Sequence, residues 1–428
     1  MKKLFFLLLV SIVSGQLFAE GYQVNVLSAK QTGMGHVGAG MKLGAESMHF
    51  NPAGLVFLNN HVDLSVGVSA VSAKAKYSNG DYSAKTDNPI STPMYAYAGF
   101  RIYDNFAAGI SLTTPYGSSL KWPKNWKGAH LIQDIELKSF VLQPTFSYKI
   151  IDKLSIGAGL MMAVGNVNLS RALIPVGYLM PEPLKDVVPV AATLDGKAKV
   201  RVGYNIGVMY DVSEKVTLGL SYRSKIQMKV KEGNAKLDFA NEQIKQQLTQ
   251  AGLVPPLEDG TFKAELPLPS NTTLGVSYRP NEKWLLGLDL QFVGWHAYDS
   301  LNVVFTENVL NGYTIKAKKD YKNTMIYRVG AQYSATERLD VRAGLYYDQS
   351  PIRENNYNPE TPGMNKLGMS LGLSFEPYKN LQIDFAFLYI QGFSRDGSYP
   401  DAFSPNKVFS GKYETNAITA SLGLAYKF

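Results

Sequence analysis

The chain has 428 residues, no cysteine and a formal net charge of +8; only 18% of its residues are charged, whereas 12% are aromatic, with 26 Tyr against 4 Trp. The missing cysteine excludes a disulfide framework, a thiolate metal site and a cysteine nucleophile, and a mean hydropathy of −0.10 excludes a polytopic helical membrane protein. The basic surplus is mild: without Lys2 and Lys3, 41 basic residues face 35 acidic ones, and with no dense Lys/Arg run nucleic acid is not an expected partner.

The first element in chain order is an address. Lys2-Lys3, an apolar run from Leu4 to Val13 and the small-residue stretch ending at Ala19 read as a secretory signal peptide over residues 1–19. The apolar run is shorter than the ~20 residues that a membrane helix needs. Residues 20–61 follow, glycine-rich and without strand alternation. They contain Gly33-Met34-Gly35-His36-Val37-Gly38, which matches a dinucleotide fingerprint in form only, since no strand precedes it and no βαβ unit surrounds it. A compact plug packed inside something larger is the better expectation, with glycines letting backbone lie against backbone.

From residue 62 onward, period-2 alternation recurs to the end. In the last segment Ile418, Leu422, Leu424, Tyr426 and Phe428 alternate with Thr419, Ser421, Gly423 and Lys427. Fourteen such runs are legible, near 62–76, 94–103, 105–114, 136–150, 152–169, 198–211, 214–230, 269–280, 283–298, 322–335, 337–349, 364–376, 379–394 and 412–428. Connections between them are strictly alternately short and long, and aromatic residues such as Tyr103, Tyr148, Tyr278 and Trp284 lie beside the short ones. Short turns at one end, long loops at the other and an aromatic girdle are the marks of a bacterial outer-membrane barrel. The expected fold is therefore all-β: a 14-stranded antiparallel transmembrane β-barrel over residues 62–428, plugged by a small N-terminal hatch over residues 20–61. The barrel closes because an open edge in hydrocarbon would leave unpaired N–H and C=O groups.

Two motifs sharpen this. Asn51-Pro52-Ala53-Gly54 stands in the plug, and Thr113-Thr114-Pro115-Tyr116-Gly117 ends the third run. With Trp122 to Ala129 and Glu136-Leu137-Lys138, they make the chain resemble the FadL/TodX family of outer-membrane transporters for long-chain fatty acids and other hydrophobic compounds. The resemblance covers essentially the whole chain. It implies a hatch in which Asn51, Pro52 and Ala53 act in gating, and a kink at Pro115, Tyr116 and Gly117 that opens the wall sideways. It also implies an extracellular capture site on the two longest loops, where Ile174, Tyr178, Leu179, Met180 and Leu184 and, on one helical face, Ile244 and Leu248 are candidates. The terminal Phe428 resembles the signal by which bacterial barrels engage their assembly machinery.

Each reading has a plainer rival. Pro115 to Gly117 could merely end a strand, since Pro cannot donate to a ladder, and the apolar loop residues could simply pack on one another. Arg101, Arg201, Arg223, Arg279, Arg328 and Arg342 share the inward parity, where a carboxylate substrate would want a cation, but luminal Asp289, Asp340 and Asp384 could pair with them. The five histidines (His36, His49, His61, His130 and His296) have no metal-ligand spacing, so no metal, cofactor or enzymatic activity is expected. A non-specific porin would need an open lumen, which the hatch opposes. The function expected is passive, hatch-gated uptake of a hydrophobic small molecule, a fatty acid or an aromatic hydrocarbon, by a monomer in the outer-membrane lipid.

Overall fold

The computed structural model describes residues 22–177, 184–250, 259–306, 314–401, 403 and 405–428. The expected signal peptide lies outside these, as do Tyr178, Leu179 and Met180. Fourteen strands form one antiparallel barrel: β1 (Val62–Asn79), β2 (Met94–Tyr103), β3 (Phe106–Thr113), β4 (Asp134–Ile151), β5 (Leu154–Ala172), β6 (Val190–Asp211), β7 (Val216–Arg223), β8 (Asn271–Asn281), β9 (Trp284–Val293), β10 (Thr324–Thr336), β11 (Leu339–Asp348), β12 (Lys366–Tyr378), β13 (Leu381–Gly392) and β14 (Val408–Lys427). Each pairs with its neighbours in sequence, and β1 closes on β14 through a ladder from Asp63↔Lys427 to Ser78↔Lys412. The last residue completes the seam: Phe428 and Val62 exchange backbone hydrogen bonds of 2.7 and 3.0 Å.

The alternation read from sequence is the inside–outside alternation of the wall. Leu371, Phe385, Phe387, Leu288 and Leu424 are exposed on the outer face, where lipid would cover them, while Arg342, Asp384, Asp289, Thr419 and Ser421 are buried in the lumen. Tyr103, Tyr148, Tyr210, Tyr278, Trp284 and Phe375 are exposed beside the short turns, and Trp284 packs on Tyr333 across the ladder with ring centroids 4.8 Å apart. Five of the six short turns have two residues, and Asn380 takes the left-handed conformation (φ 74°) in one of them.

At the other end the strands outrun the barrel. The seventh run, expected over 214–230, is two elements: β7 stops at Arg223, and a separate strand, Ile226–Phe239, pairs with the distal half of β6 and with Gly260–Leu268. Ser224 makes the break, with its N–H donating to Tyr204 O and its Oγ accepting from Tyr204 N–H, both at 2.9 Å. Alternation continues across the break because both sides of it are paired, so the pattern could not reveal it. Likewise the run expected to reach 298 ends at Val293.

Candidate functional site

Residues 22–61 make no ladder of their own; they lie inside the barrel as short helical turns and loops. The wall receives them on glycines at inward positions that face one another across strands, among them Gly157↔Gly207, Gly219↔Gly275 and Gly287↔Gly330. A Cβ at Gly157 would fall on the backbone of Pro52 and Ala53, and one at Gly207 on Asn51 Oδ1. These glycines are therefore where the Asn-Pro-Ala turn seats against the wall.

Polar side chains fix the seat. Asn51 donates from Nδ2 to Ala39 O (2.8 Å) and Val208 O (3.0 Å), and its Oδ1 caps Ala53 N–H at 3.1 Å. Ser155 Oγ donates to Ala53 O at 2.9 Å. Glu46, fully buried, accepts from Ser28 and Ser65 at 2.7 Å each, with Lys30 at 3.6 Å. Asp289 Oδ2 accepts from the N–H groups of Gly38 and Ala39 at 2.8 and 3.0 Å. The Gly33–Gly38 stretch is thus wall-packed backbone. None of these partners could be assigned from sequence, although glycines on the inward parity of successive strands were a readable signal.

The wall itself is interrupted at β3. Its ladder to β2 runs out at Tyr95↔Thr113; Pro115 follows, and the chain resumes as Gly117–Lys121, paired with β4 alone (Gly117↔Lys138 to Lys121↔Asp134). The facing rim, residues 89–94, carries Pro89 and Pro93, which also have no N–H to offer. From the inside the N-terminal tail supplies what the wall does not: Val24 N–H donates to Pro115 O and Gly117 N–H to Tyr22 O, both at 2.8 Å. Between the rims lies a cavity of about 620 Å³. Ile90, Met94 and Phe140 line it from the outer face and Tyr346, Leu388 and Ile390 from the lumen, so it passes through the thickness of the wall.

A second, apolar pocket of about 90 Å³ is walled by Leu137, Val167, Leu194, Phe262, Leu266 and Val303, and shares Ser118, Leu137, Lys138 and Ser139 with the wall cavity. Tyr22 borders this pocket, its ring 5.2 Å from Trp295 and 5.8 Å from Tyr298. Glu136-Leu137-Lys138 is thereby placed opposite the kink, and Trp122 and Trp126 stack at 4.4 Å in the loop cap.

Of the expected capture residues, Ile244 and Leu248 lie on the helix Glu242–Gln250 and pack with Ile174 and Val190 in one closed cluster. Leu184 sits in the turn Leu184–Asp186. The arginines separate. Arg342 lies 3.3 Å from Asp340 and 3.9 Å from Asp384, and Arg279 is exposed near a short turn. Among the described residues no metal-binding cluster of His, Asp and Glu is found.

Comparison with known proteins agrees with this geometry. Residues 10–428 match the family model described as outer membrane protein transport protein (OMPP1/FadL/TodX). The long-chain fatty acid transport protein of Escherichia coli K12 is 22% identical over 418 residues, covering 90% of each chain. Among solved structures, a Pseudomonas aeruginosa FadL homologue superposes with a TM-score of 0.81 at 20% identity, covering 95% of this chain and all of the other. The Pseudomonas putida toluene transporter TodX gives 0.71 at 20% identity, covering 97% and 100%.

Proposed function

Given that the chain belongs to the OMPP1/FadL/TodX family of outer-membrane transporters of hydrophobic compounds, we propose that it takes up long-chain fatty acids passively and releases them sideways into the bilayer. The family transports; it does not catalyse. The observation that carries the reading is the cavity between residues 89–94 and 114–119, which reaches from lumen to lipid-facing surface where β3 has lost its partner. A hydrophobic solute leaving by an aqueous route would expose its apolar surface at a cost of about 25 cal/mol per Å²; a side exit into hydrocarbon avoids that.

The route begins at the loops, where the cluster of Ile174, Ile244 and Leu248, closed in this structure, would open to form the capture surface. It continues through the apolar pocket to the wall cavity. The two share lining residues and make one elongated track, which suits a long alkyl chain better than a single ring. Residues 20–61 serve as the hatch. Tyr22 to Val24 are its moving part, since they bond to the kink through two backbone hydrogen bonds that can be broken without disturbing the ladder. The Asn51-Pro52-Ala53 turn is the anchor about which the hatch is gated. Residues 1–19 direct export, and Phe428 presents the assembly signal on a monomer.

The test is uptake of labelled hexadecanoate, toluene and a hydrophilic sugar by cells lacking their own transporter, with wild type and a P115V/G117V variant in parallel. Hexadecanoate uptake lost in the variant supports the reading. Sugar permeation through the wild type would mean an open pore, and preferential toluene uptake an aromatic substrate.

A further inference from the structure

Above the barrel, at the long-loop end, the chain builds a sheet with two unlike faces. The distal half of β6 pairs with Ile226–Phe239, that strand with Gly260–Leu268, and the sheet continues through Ser300–Phe305 to Thr314–Lys318. Its inner face is apolar and closed: Leu194, Val230, Phe262, Val303 and Phe305 are buried together. The alternate residues face outward, and toward the membrane they are mostly lysine. Lys197, Lys199, Lys316 and Lys318 are exposed there and Lys229 is half-exposed, with Glu265 as the acidic member.

The pairing lines these residues up. Ala198↔Val230 brings Lys199 beside Lys229, Lys229 stands opposite Glu265, Ala264↔Val303 brings Glu265 beside Asn302, and Asn302 stands opposite Lys316. One row thus crosses five strands, about 20 Å at ~4.8 Å per strand. Glu265 is committed to Lys229 and Gln227. Lys197, Lys199, Lys316 and Lys318 have no carboxylate within 4.0 Å among the described residues. Farther from the membrane the signs even out, with Lys231, Lys236 and Lys263 standing among Asp195, Glu232 and Asp238.

The lysines begin where the lipid-facing band ends. On β6 the residue after Lys199 is Val200, exposed on the outer face like Val202 and Tyr204, and Lys318 leads down to β10, where Tyr327 and Val329 are exposed. Lysine on Thr314–Lys318 could serve to guard an edge strand against further pairing. The distal half of β6 and Ile226–Phe239 are paired on both sides, so Lys197, Lys199 and Lys229 guard no edge. Like charges held in a row repel one another, and an anionic membrane surface relieves that repulsion within a Debye length.

We propose that this face binds a phosphate-bearing lipid of the outer leaflet. The lysine row holds the phosphorylated head group, and the acyl chains lie down the wall on Val200, Val202 and Tyr204. The inference goes beyond the transport reading: it needs the barrel to sit in an outer membrane and does not depend on the lateral exit.

The experiment is binding of diphosphoryl lipid A to the purified barrel in an uncharged detergent, counted by native mass spectrometry beside the dephosphorylated lipid. Wild type is expected to hold the phosphorylated form at least about tenfold more tightly and to lose most of that preference as salt is raised. K199Q/K316Q/K318Q is expected to reduce the preference at least about fivefold. K85Q/K407Q/K412Q, which removes equal charge beside β1 and β14 on the far side of the barrel, should leave it unchanged. Equal affinity for the two lipids in wild type overturns the proposal without recourse to any variant, and so decides the matter if a variant lacks the heat-modifiable electrophoretic mobility of a folded barrel. A preference that both triple variants reduce alike also overturns it, since net charge would then be the cause. Inorganic pyrophosphate bound as tightly as the lipid would overturn the lipid as occupant, and hexadecanoate competing on equal terms would overturn phosphate as the group recognised.

Discussion

The wall and the N-terminal segment are built on opposite principles. In the wall every strand is laddered on both sides, so its integrity is a property of backbone pairing and tolerates almost any outward apolar residue. The segment over residues 22–61 has no ladder and hangs on individual side chains: Asn51, Glu46 and Asp289 at one part, and the backbone of Tyr22 and Val24 at the other. A structure held by a few discrete contacts can be released locally while the ladder stays intact, and such low-stability units are where moving parts are found. The one place where the two regions exchange roles is Pro115 to Gly117, where the wall lacks a partner and the segment provides it.

That contrast can be broken experimentally, most forcefully at the exchange point. P115V/G117V is expected to extend the β3 ladder and cut hydrophobic uptake by at least about tenfold, ~1.4 kcal/mol on the barrier, with normal electrophoretic mobility of the barrel; undiminished uptake would mean the cavity is not the exit. Next in size is Gly207→Leu. Its side chain would displace Asn51 from the wall, unseat the segment and admit a small sugar that wild type excludes, which liposome swelling measures. Asn51→Ala is milder. Losing its bonds to Ala39, Val208 and Ala53 leaves buried groups unpaired at about 1–3 kcal/mol, so amide exchange at Ala39 and Ala53 should quicken roughly ten- to hundredfold while exchange in β8 and β12 does not.

The smallest effect is a pH dependence. The ring of His36 is held at about 3 in its buried place and returns to an ordinary value near 6.5 when exposed. The exposed state therefore binds the extra proton between those values, and the anchoring is whole above pH 6.5 and lost progressively as pH falls. Going from pH 7.5 to 5.5, His36 alone should loosen the segment by up to ~1.4 kcal/mol, read as faster exchange around Gly35 and Val37; a His36→Gln variant should remove that part and leave the dependence of the same sign that the buried His49 contributes.

The same contrast explains what could be read from sequence. Wall strands have one face to lipid and one to the lumen, so alternation names both face and strand, and Leu288, Asp289, Phe385 and Asp384 fall where expected. Alternation marks pairing but not its partner, which is why the barrel strand ending at Arg223 and the loop hairpin from Ile226 merged into one run. The segment carries no period at all. Asn51-Pro52-Ala53 was visible as a motif, yet its seat on Gly157 and Gly207 depends on contacts more than a hundred residues apart. The inward arginines were equivalent by parity; only their neighbours distinguish Arg342, paired with Asp340, from Arg223 and Arg328.

The most direct test of lateral exit is to see the substrate. Crystals of the protein soaked with a terminally brominated hexadecanoate would locate the bromine by its anomalous scattering. The account predicts a peak between residues 89–94 and 114–119, on the lipid-facing side of the wall cavity. A peak on the barrel axis at the short-turn end, with the wall cavity empty, would contradict it.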